Sequence, residues 1–160
     1  MKPFYQNFIN QFDLDSFEDL LHEKPYVETT HNIEINVWPE YITKKSTAQG
    51  DIFIWAYHVL IANKSIDIVK LTHRYWRIVD EAGNVQEVDD EGVVGEKPEI
   101  KPDSSFQYTS AVHLKHPSGI MMGRYKMRKL TNNDSKIEEE FNATIPAFSL
   151  DLPNNKKILN

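Results

Sequence analysis

Two histidines and a short acidic stretch are the residues of this 160-residue chain whose types suit metal binding. His113 and His116 fall in one predicted loop. The acidic residues fall in a second predicted loop and are Glu87, Asp89, Asp90 and Glu91. Imidazoles suit transition ions and carboxylates suit hard cations. Spacing along the chain does not bring two loops together, and acidic runs usually form solvated surface. The sequence therefore offers candidate ligands without predicting a specific metal site.

A glycine-containing stretch with Gly92 and Gly95 is the second candidate, since successive backbone N–H groups can form a concave anion site. The nucleotide-binding form of such a loop needs a preceding parallel strand and a following helix. This stretch instead runs into Lys97-Pro98. We predict a strand-connecting loop. A weak anion or partner contact is the alternative, made by Asp90, Glu91, Gly92 and Gly95 with the planar guanidinium of Arg74.

Catalytic groups are scarce. Ser110 or Ser118 with His113 or His116 is the one nearby pairing of a hydroxyl with a base, and no nucleophile-elbow motif accompanies it. The chain has no cysteine, which excludes thiol nucleophiles, disulfides and thiolate zinc sites. We predict that the protein is not an enzyme and has no cofactor.

The charge and hydropathy of the chain argue against two classes of partner, nucleic acids and membranes. The formal net charge is −6 and the pI is near 5.5, without a dense Lys/Arg patch, so we expect no nucleic-acid binding. No apolar run approaches the ~20 residues that span a bilayer, so we expect no membrane insertion. The N-terminus lacks an apolar signal region and carries several acidic residues, which predicts a cytoplasmic location.

The elements that position these residues are short runs with the period of half-buried strands. Ile33, Ile35 and Val37 alternate with Glu34 and Asn36. The full set of runs is Ile33 to Val37, Ile52 to Ala62, Ile66 to Leu71, Tyr75 to Val79, Val85 to Val88, Phe106 to Val112, Met121 to Met127 and Phe141 to Ile145. Turn residues separate them, and no long helical pattern lies between any two. Seven to eight strands at this spacing predict an all-β antiparallel sandwich of the immunoglobulin or fibronectin type III kind.

The N-terminal segment differs from the rest. Phe4, Phe8 and Phe12 recur at helical spacing, and Lys24-Pro25 ends the pattern. The predicted division is a short helical N-terminal extension (1–27), one β-domain (28–152) and a polar tail (153–160).

Aromatic residues are predicted to pack rather than to stack on a ligand. In the strand Tyr75 to Val79, Trp76 and Ile78 share one face and Arg77 lies on the other. Four further residues are assigned to core and cross-strand packing: Trp55, Tyr57, Tyr108 and Tyr125.

Several blocks occur in a characteristic order. They are Trp38-Pro39-Glu40-Tyr41, Leu71-Thr72-His73-Arg74-Tyr75-Trp76, Glu91-Gly92-Val93-Val94-Gly95-Glu96-Lys97-Pro98, Phe106-Gln107-Tyr108-Thr109-Ser110, Pro117-Ser118-Gly119 and Ile145-Pro146-Ala147-Phe148. In this order and spacing the chain resembles the ApaG family from about Thr29 to Leu152. It departs from the family's G-x-G-x-x-G loop, because Asp90 replaces the first glycine.

The resemblance implies a fibronectin-type sandwich and, for bacterial members, an association with cobalt and magnesium resistance or efflux. Related domains in eukaryotic F-box and polymerase-interacting proteins imply a binding role. We therefore expect a non-enzymatic protein-interaction module, linked to cobalt and magnesium homeostasis, that takes up a partner protein through exposed edge strands. The same edges allow a homodimer. The alternative is a sensor that binds a divalent metal or a phosphate or pyrophosphate compound at the loop ends.

Overall fold

The computed structural model describes residues 19–130 and 139–153 and is built almost entirely of strands. Within these residues there are nine: β1 (Tyr26–Thr30), β2 (Ile33–Thr47), β3 (Gly50–Asn63), β4 (Ile68–Asp80), β5 (Val85–Glu91), β6 (Glu99–Ile100), β7 (Ser105–Leu114), β8 (Ser118–Leu130) and β9 (Glu139–Asp151). Each predicted run lies largely or wholly within one of these strands.

Two sheets form a sandwich, which confirms the predicted fold class. Sheet A has the order β1-β2-β3-β7, and sheet B has the order β5-β4-β8-β9 with β6 also paired to β4. All these pairings are antiparallel. The closer likeness to immunoglobulin or fibronectin type III domains stays a prediction.

The core lies between the sheets and follows the alternation in the sequence. Ile33, Ile35 and Val37 are fully buried, and their partners in β3 include Val59 and Ile61. Sheet B contributes mainly Val69, Leu71, Trp76, Ile78, Met121, Tyr125, Met127, Ile145, Phe148 and Leu150. The predicted faces around Trp76 and Ile78 are confirmed, since both are buried while Arg77 is exposed.

The prediction that two separate strands lie between Ile66 and Val79 was wrong. The runs Ile66 to Leu71 and Tyr75 to Val79 belong to a single strand, β4, because a bulge shifts its register between Leu71 and His73. Before the bulge the odd-numbered residues face the core, and after it the even-numbered ones do. This change of phase makes one strand look like two in the sequence.

The prolines inside strands lie where no ladder hydrogen bond is lost. Pro39 of β2 lies beyond the last residue that pairs with β1, Val37. Pro146 of β9 lies at a register shift against β8. Both positions are of the kind that tolerates proline in a sheet.

The two flanks of the sandwich differ. On one flank β1 meets β9, where the Tyr26 hydroxyl lies 3.2 Å from Ser149 Oγ and the Thr144 N–H donates to Thr30 Oγ1 at 3.3 Å. On the other flank β5 and β7 are joined by Gln86 Nε2, which donates to the His113 carbonyl at 2.9 Å. The flank between β5 and β7 is the more open one, and several of the candidate site residues belong to the two strands that border it.

The predicted N-terminal helices fall mostly on residues 1–18, outside the described part of the chain. Residues 19–25 form a hydrogen-bonded turn leading into β1, with the Glu23 N–H donating to the Leu20 carbonyl at 2.9 Å. The polar tail from 154 onward is also outside. No helix within the described ranges is long and apolar enough to cross a membrane.

Candidate functional site

Arg74 and the glycine loop lie together at the open flank. Arg74 is on the core-facing side of β4, and its Nη1 donates to the carbonyls of Glu91 and Gly92 at 2.9 and 2.8 Å. Its Nη2 lies 3.5 Å from Asp90 Oδ2. The guanidinium therefore ties the end of β5 to the start of the loop.

The loop is a tight turn anchored in the core. Val93 is fully buried, and it exchanges two backbone hydrogen bonds with Glu96, both at 2.8 Å. The Gly92 N–H donates to the Thr72 carbonyl at 2.8 Å. Gly92 has φ +62°, and a Cβ there would lie 2.3 Å from the Glu96 carbonyl oxygen. The amides of Gly92, Val93 and Glu96 are bound within the protein and are not presented to an anion.

The candidate metal ligands lie in separate places. Glu87 is on the outer face of sheet B, where its Oε1 lies 3.1 Å from Arg77 Nη1. Asp89 is on the same face, opposite Tyr75. His113 belongs to sheet A, and His116 lies in the β7–β8 connection.

These placements form no metal centre. Within residues 19–130 and 139–153, no three His, Asp or Glu side chains lie close enough together to hold an ion. Burial, and secondarily the charge of Lys45, lower the pKa of His113. Its imidazole is therefore neutral at pH 7.

The two candidate nucleophiles bind other groups. The Ser110 hydroxyl interacts with the Tyr57 phenol and opposes the rise in the pKa of Tyr57 that burial causes. Ser118 Oγ donates to one carboxylate oxygen of Glu81 at 3.1 Å, and His116 Nδ1 lies 3.9 Å from the other. These contacts do not form the nucleophile–base pairing considered from the sequence.

A polar cluster that the sequence did not reveal crosses the outer face of sheet A. His58 Nδ1 lies 2.7 Å from Thr109 Oγ1, and its Nε2 lies 2.8 Å from Glu40 Oε2. This order of a hydroxyl, an imidazole and a carboxylate is that of a catalytic triad. However, His58 is only 1% exposed. The imidazole is enclosed by its neighbours, and its two hydrogen bonds join β2, β3 and β7 across the sheet.

Behind Arg74, a group of tyrosines fills the middle of the sandwich. Tyr57, Tyr108 and Tyr125 are buried, and the hydroxyls of Tyr108 and Tyr125 are hydrogen-bonded to each other. Burial raises the pKa of all three phenols, and the charge of Arg74 opposes that rise. Their predicted role in core packing is confirmed, but the sequence did not show that their hydroxyls converge near Arg74.

Strand β5 is the most accessible element at this flank. All seven of its residues are exposed. Two backbone hydrogen bonds at its ends show which residues face β4. The Asp80 N–H donates to the Asn84 carbonyl at 3.1 Å, and the Gly92 N–H donates to the Thr72 carbonyl at 2.8 Å. Antiparallel pairs alternate between hydrogen-bonded and non-hydrogen-bonded positions. The even-numbered residues of β5 therefore direct their backbone groups toward β4, and the odd-numbered residues direct theirs outward.

Comparison with known proteins matches the ApaG domain over residues 43–129. Protein ApaG of Mesorhizobium japonicum is 45% identical over 135 residues, which are 84% of this chain and 99% of that relative. Protein ApaG of Agrobacterium fabrum is 47% identical with the same coverage.

Solved structures agree with these matches. An X-ray structure of the structural genomics target SoR45 superimposes with a TM-score of 0.70 at 38% identity, covering 76% of this chain and 88% of that one. The crystal structure of an ApaA protein from Bordetella pertussis gives 0.67 at 31% identity, covering 81% and 97%. The family match and the 45% and 47% identical relatives show that this chain belongs to the ApaG family.

Proposed function

We propose that this ApaG-family chain is a non-enzymatic protein-binding module whose β5 edge takes up an extended segment of a partner protein. The observation that carries the proposal is a strand of seven exposed residues whose odd-numbered members direct N–H and C=O groups away from β4. Such an edge can accept another strand, with main-chain hydrogen bonds supplying affinity.

The acidic residues of β5 favour a basic partner, although three of them have ion pairs within the chain: Glu87 with Arg77, Asp90 with Arg74 and Glu91 with Lys97. Glu87 and Asp89 project from the outer face of sheet B beside the outward-facing backbone, and Asp90 and Glu91 follow. Opposite charges on adjacent strands stabilise their pairing and like charges weaken it. A basic extended segment therefore suits this edge. Two β5 strands facing each other would repel, so a homodimer would need another edge.

Two observations support a binding role over catalysis or metal sensing. The His58 imidazole of the triad-like group is buried, and the candidate metal ligands of the described residues lie apart. On this proposal, the connection to cobalt and magnesium homeostasis implied by the family resemblance is indirect and runs through the partner protein.

The test removes one outward-facing N–H. Proline is tolerated at an edge where its missing N–H faces solvent, so Glu87→Pro should fold while blocking strand addition. Glu87→Thr is the matched control, since it removes the same carboxylate and keeps the N–H. We expect a partner co-purifying with tagged wild-type chain to be retained by Glu87→Thr, with weaker binding at high salt, and to be lost with Glu87→Pro. Equal retention by both variants would refute edge pairing.

A further inference from the structure

Three residues of β5 lie on its core-facing side, and only one of them is apolar. Directly opposite residues of an antiparallel pair have their side chains on the same face. Val88 is opposite the buried Trp76, and Gln86 is opposite the buried Ile78. Asp90 completes this side of the strand. Val88 is therefore the single apolar side chain on the inner face of the β5 edge.

Polar contacts bound the edge on both sides of Val88. On one side Gln86 Nε2 donates to the His113 carbonyl of β7 at 2.9 Å. On the other side Arg74 Nη2 lies 3.5 Å from Asp90 Oδ2. Both polar residues of β5 are two positions from Val88, which is about 7 Å along a strand. The flank between β5 and β7 is therefore free of polar bridges over a length of about one side chain, which we call the Val88 opening.

A cavity of about 300 Å³ lies behind the Val88 opening, and we call it the inter-sheet cavity. Its apolar wall includes Ile78, Val112 and Met121 as well as Val88. Val88 lines the cavity and is also 36% exposed, so the cavity reaches the surface at this residue. An engineered apolar cavity on the order of 150 Å³ accepts benzene. The inter-sheet cavity therefore has room for one large apolar side chain.

The polar residues of the cavity wall already have contacts within the chain. The Tyr57 and Ser110 side chains interact with each other. Arg74 Nη1 donates to the Glu91 and Gly92 carbonyls. The aliphatic part of the wall is what remains for an occupant, and aliphatic surface favours an apolar one.

Strand addition at β5 would place one side chain at the Val88 opening. The odd-numbered residues of β5 direct their backbone groups outward, so they would form the hydrogen-bonded pairs with an antiparallel partner strand. The partner residue opposite Val88 would then occupy a non-hydrogen-bonded pair, where side chains lie closer together. Its side chain would point inward, as that of Val88 does.

The neighbours of that partner residue would lie on the outer face, opposite Glu87 and Asp89. Glu87 has an ion pair with Arg77. No ion pair of Asp89 is found within residues 19–130 and 139–153. A basic residue opposite Asp89 is therefore favoured, since opposite charges on adjacent strands stabilise their pairing.

We propose that the partner segment carries one large apolar side chain, opposite Val88, that enters the inter-sheet cavity, and a basic residue beside it, opposite Asp89. This inference rests on the proposed binding at the β5 edge and adds the residue that selects the partner. In strand addition, main-chain hydrogen bonds supply affinity and pockets for alternate side chains supply specificity. The partner is thus an extended basic segment with a leucine, methionine or phenylalanine anchor.

The experiment titrates the isotope-labelled full chain with two nine-residue peptides and follows its amide and methyl NMR signals. Each peptide alternates threonine with lysine, and its central threonine is replaced by leucine in one and by alanine in the other. We expect both peptides to shift the amides of Glu87 and Asp89, and the leucine peptide alone to shift the methyls of Val88, Val112 and Met121. The leucine peptide should bind about tenfold more tightly, because it buries more apolar surface.

The outcomes separate this inference from the proposed function. Equal affinities with shifts at the β5 amides would overturn the anchor and leave edge binding standing. Tighter binding of the leucine peptide without methyl shifts in the cavity would also overturn the anchor. If neither peptide shifts the β5 amides, both the anchor and the edge binding are wrong.

A variant that fills the inter-sheet cavity from the other sheet locates the anchor. Val112→Phe on β7 leaves β5 unchanged, and it should reduce the affinity for the leucine peptide to that for the alanine peptide without altering the latter. Val27→Phe is the matched control, since Val27 is exposed on β1 at the opposite flank. An undiminished preference for leucine in a folded Val112→Phe variant would place the anchor outside the cavity.

Discussion

Gly123 lies where β8 approaches β4 so closely that no side chain fits between them. A Cβ at this position would lie 2.1 Å from the Tyr75 carbonyl oxygen as well as close to Trp76. Gly123→Ala should therefore destabilise the fold by about 1–3 kcal/mol through overpacking. Urea denaturation measures the change, and Met122→Ala at the exposed neighbouring position is the control. Equal stability of the two variants would show that β8 does not approach the β4 backbone so closely at this position.

Asp80 is the residue for which we predict a pH effect. Burial opposes its charge, but hydrogen bonds from the Asn84 side chain and from the Asn84 and Ala82 N–H groups outweigh it and lower its pKa. A lowered folded-state pKa stabilises the fold above the unfolded value of about 3.9 and loses that effect as pH falls through the folded value.

Asp80→Asn should therefore lower the melting temperature at pH 7, and the difference from wild type should shrink as pH falls below about 4. Thermal melts across this range test the prediction, with Asp89→Asn on the exposed β5 strand as the control. A difference that is independent of pH would mean that the carboxylate charge does not stabilise this turn.

The contacts of individual residues were the features that the sequence predicted least well. It selected Arg74 and the glycine loop as neighbours in function, and the structure places them in contact. It could not show that the loop amides are bound internally, because those bonds depend on Val93 entering the core. The close approach of Gly123 to Tyr75 and Trp76 involves two strands that are distant in sequence and has no local signal.

At the scale of elements, strands with a constant alternation were predictable and irregular ones were not. β3 and β7 correspond to single predicted runs, whereas the bulge in β4 divided one strand into two. β1 was missed because four of its five residues are exposed, so it shows no alternation. β6 has only two residues, too few for any period.

The N-terminal segment gives a second prediction at this scale. Trp38 Nε1 donates to the Glu23 carbonyl at 3.0 Å, and residues 23–26 border a groove of about 630 Å³ that Trp38 and Trp55 also line. The preceding segment carries apolar residues at helical spacing. If these residues pack on the sandwich, deleting 1–18 should lower the melting temperature by several degrees and increase binding of a hydrophobic dye. Deleting 154–160 is the control, and unchanged melting of both truncations would contradict the expectation.

At the scale of the whole molecule, we expect no specific metal response from the residues that the structure describes. Because the described carboxylates and imidazoles form no three-residue cluster, amide-resolved NMR titration with Co²⁺ should give diffuse, unsaturable broadening. Saturable broadening centred on His113, His116 and the 87–91 strand would instead support direct metal sensing. His113→Gln with Glu87→Gln would then have to abolish it.

In the whole molecule, the outward edge of β5 is the surface that we propose binds a partner protein. Its most direct test is site-specific photocrosslinking in cells, with a photoreactive amino acid replacing Asp89 on β5 or, as control, Ile120 on the same outer face of β8. We expect a discrete protein adduct from position 89, none from position 120, and loss of the adduct when Glu87→Pro is added. The same adduct from both positions, or no adduct from position 89, would contradict partner binding at the β5 edge.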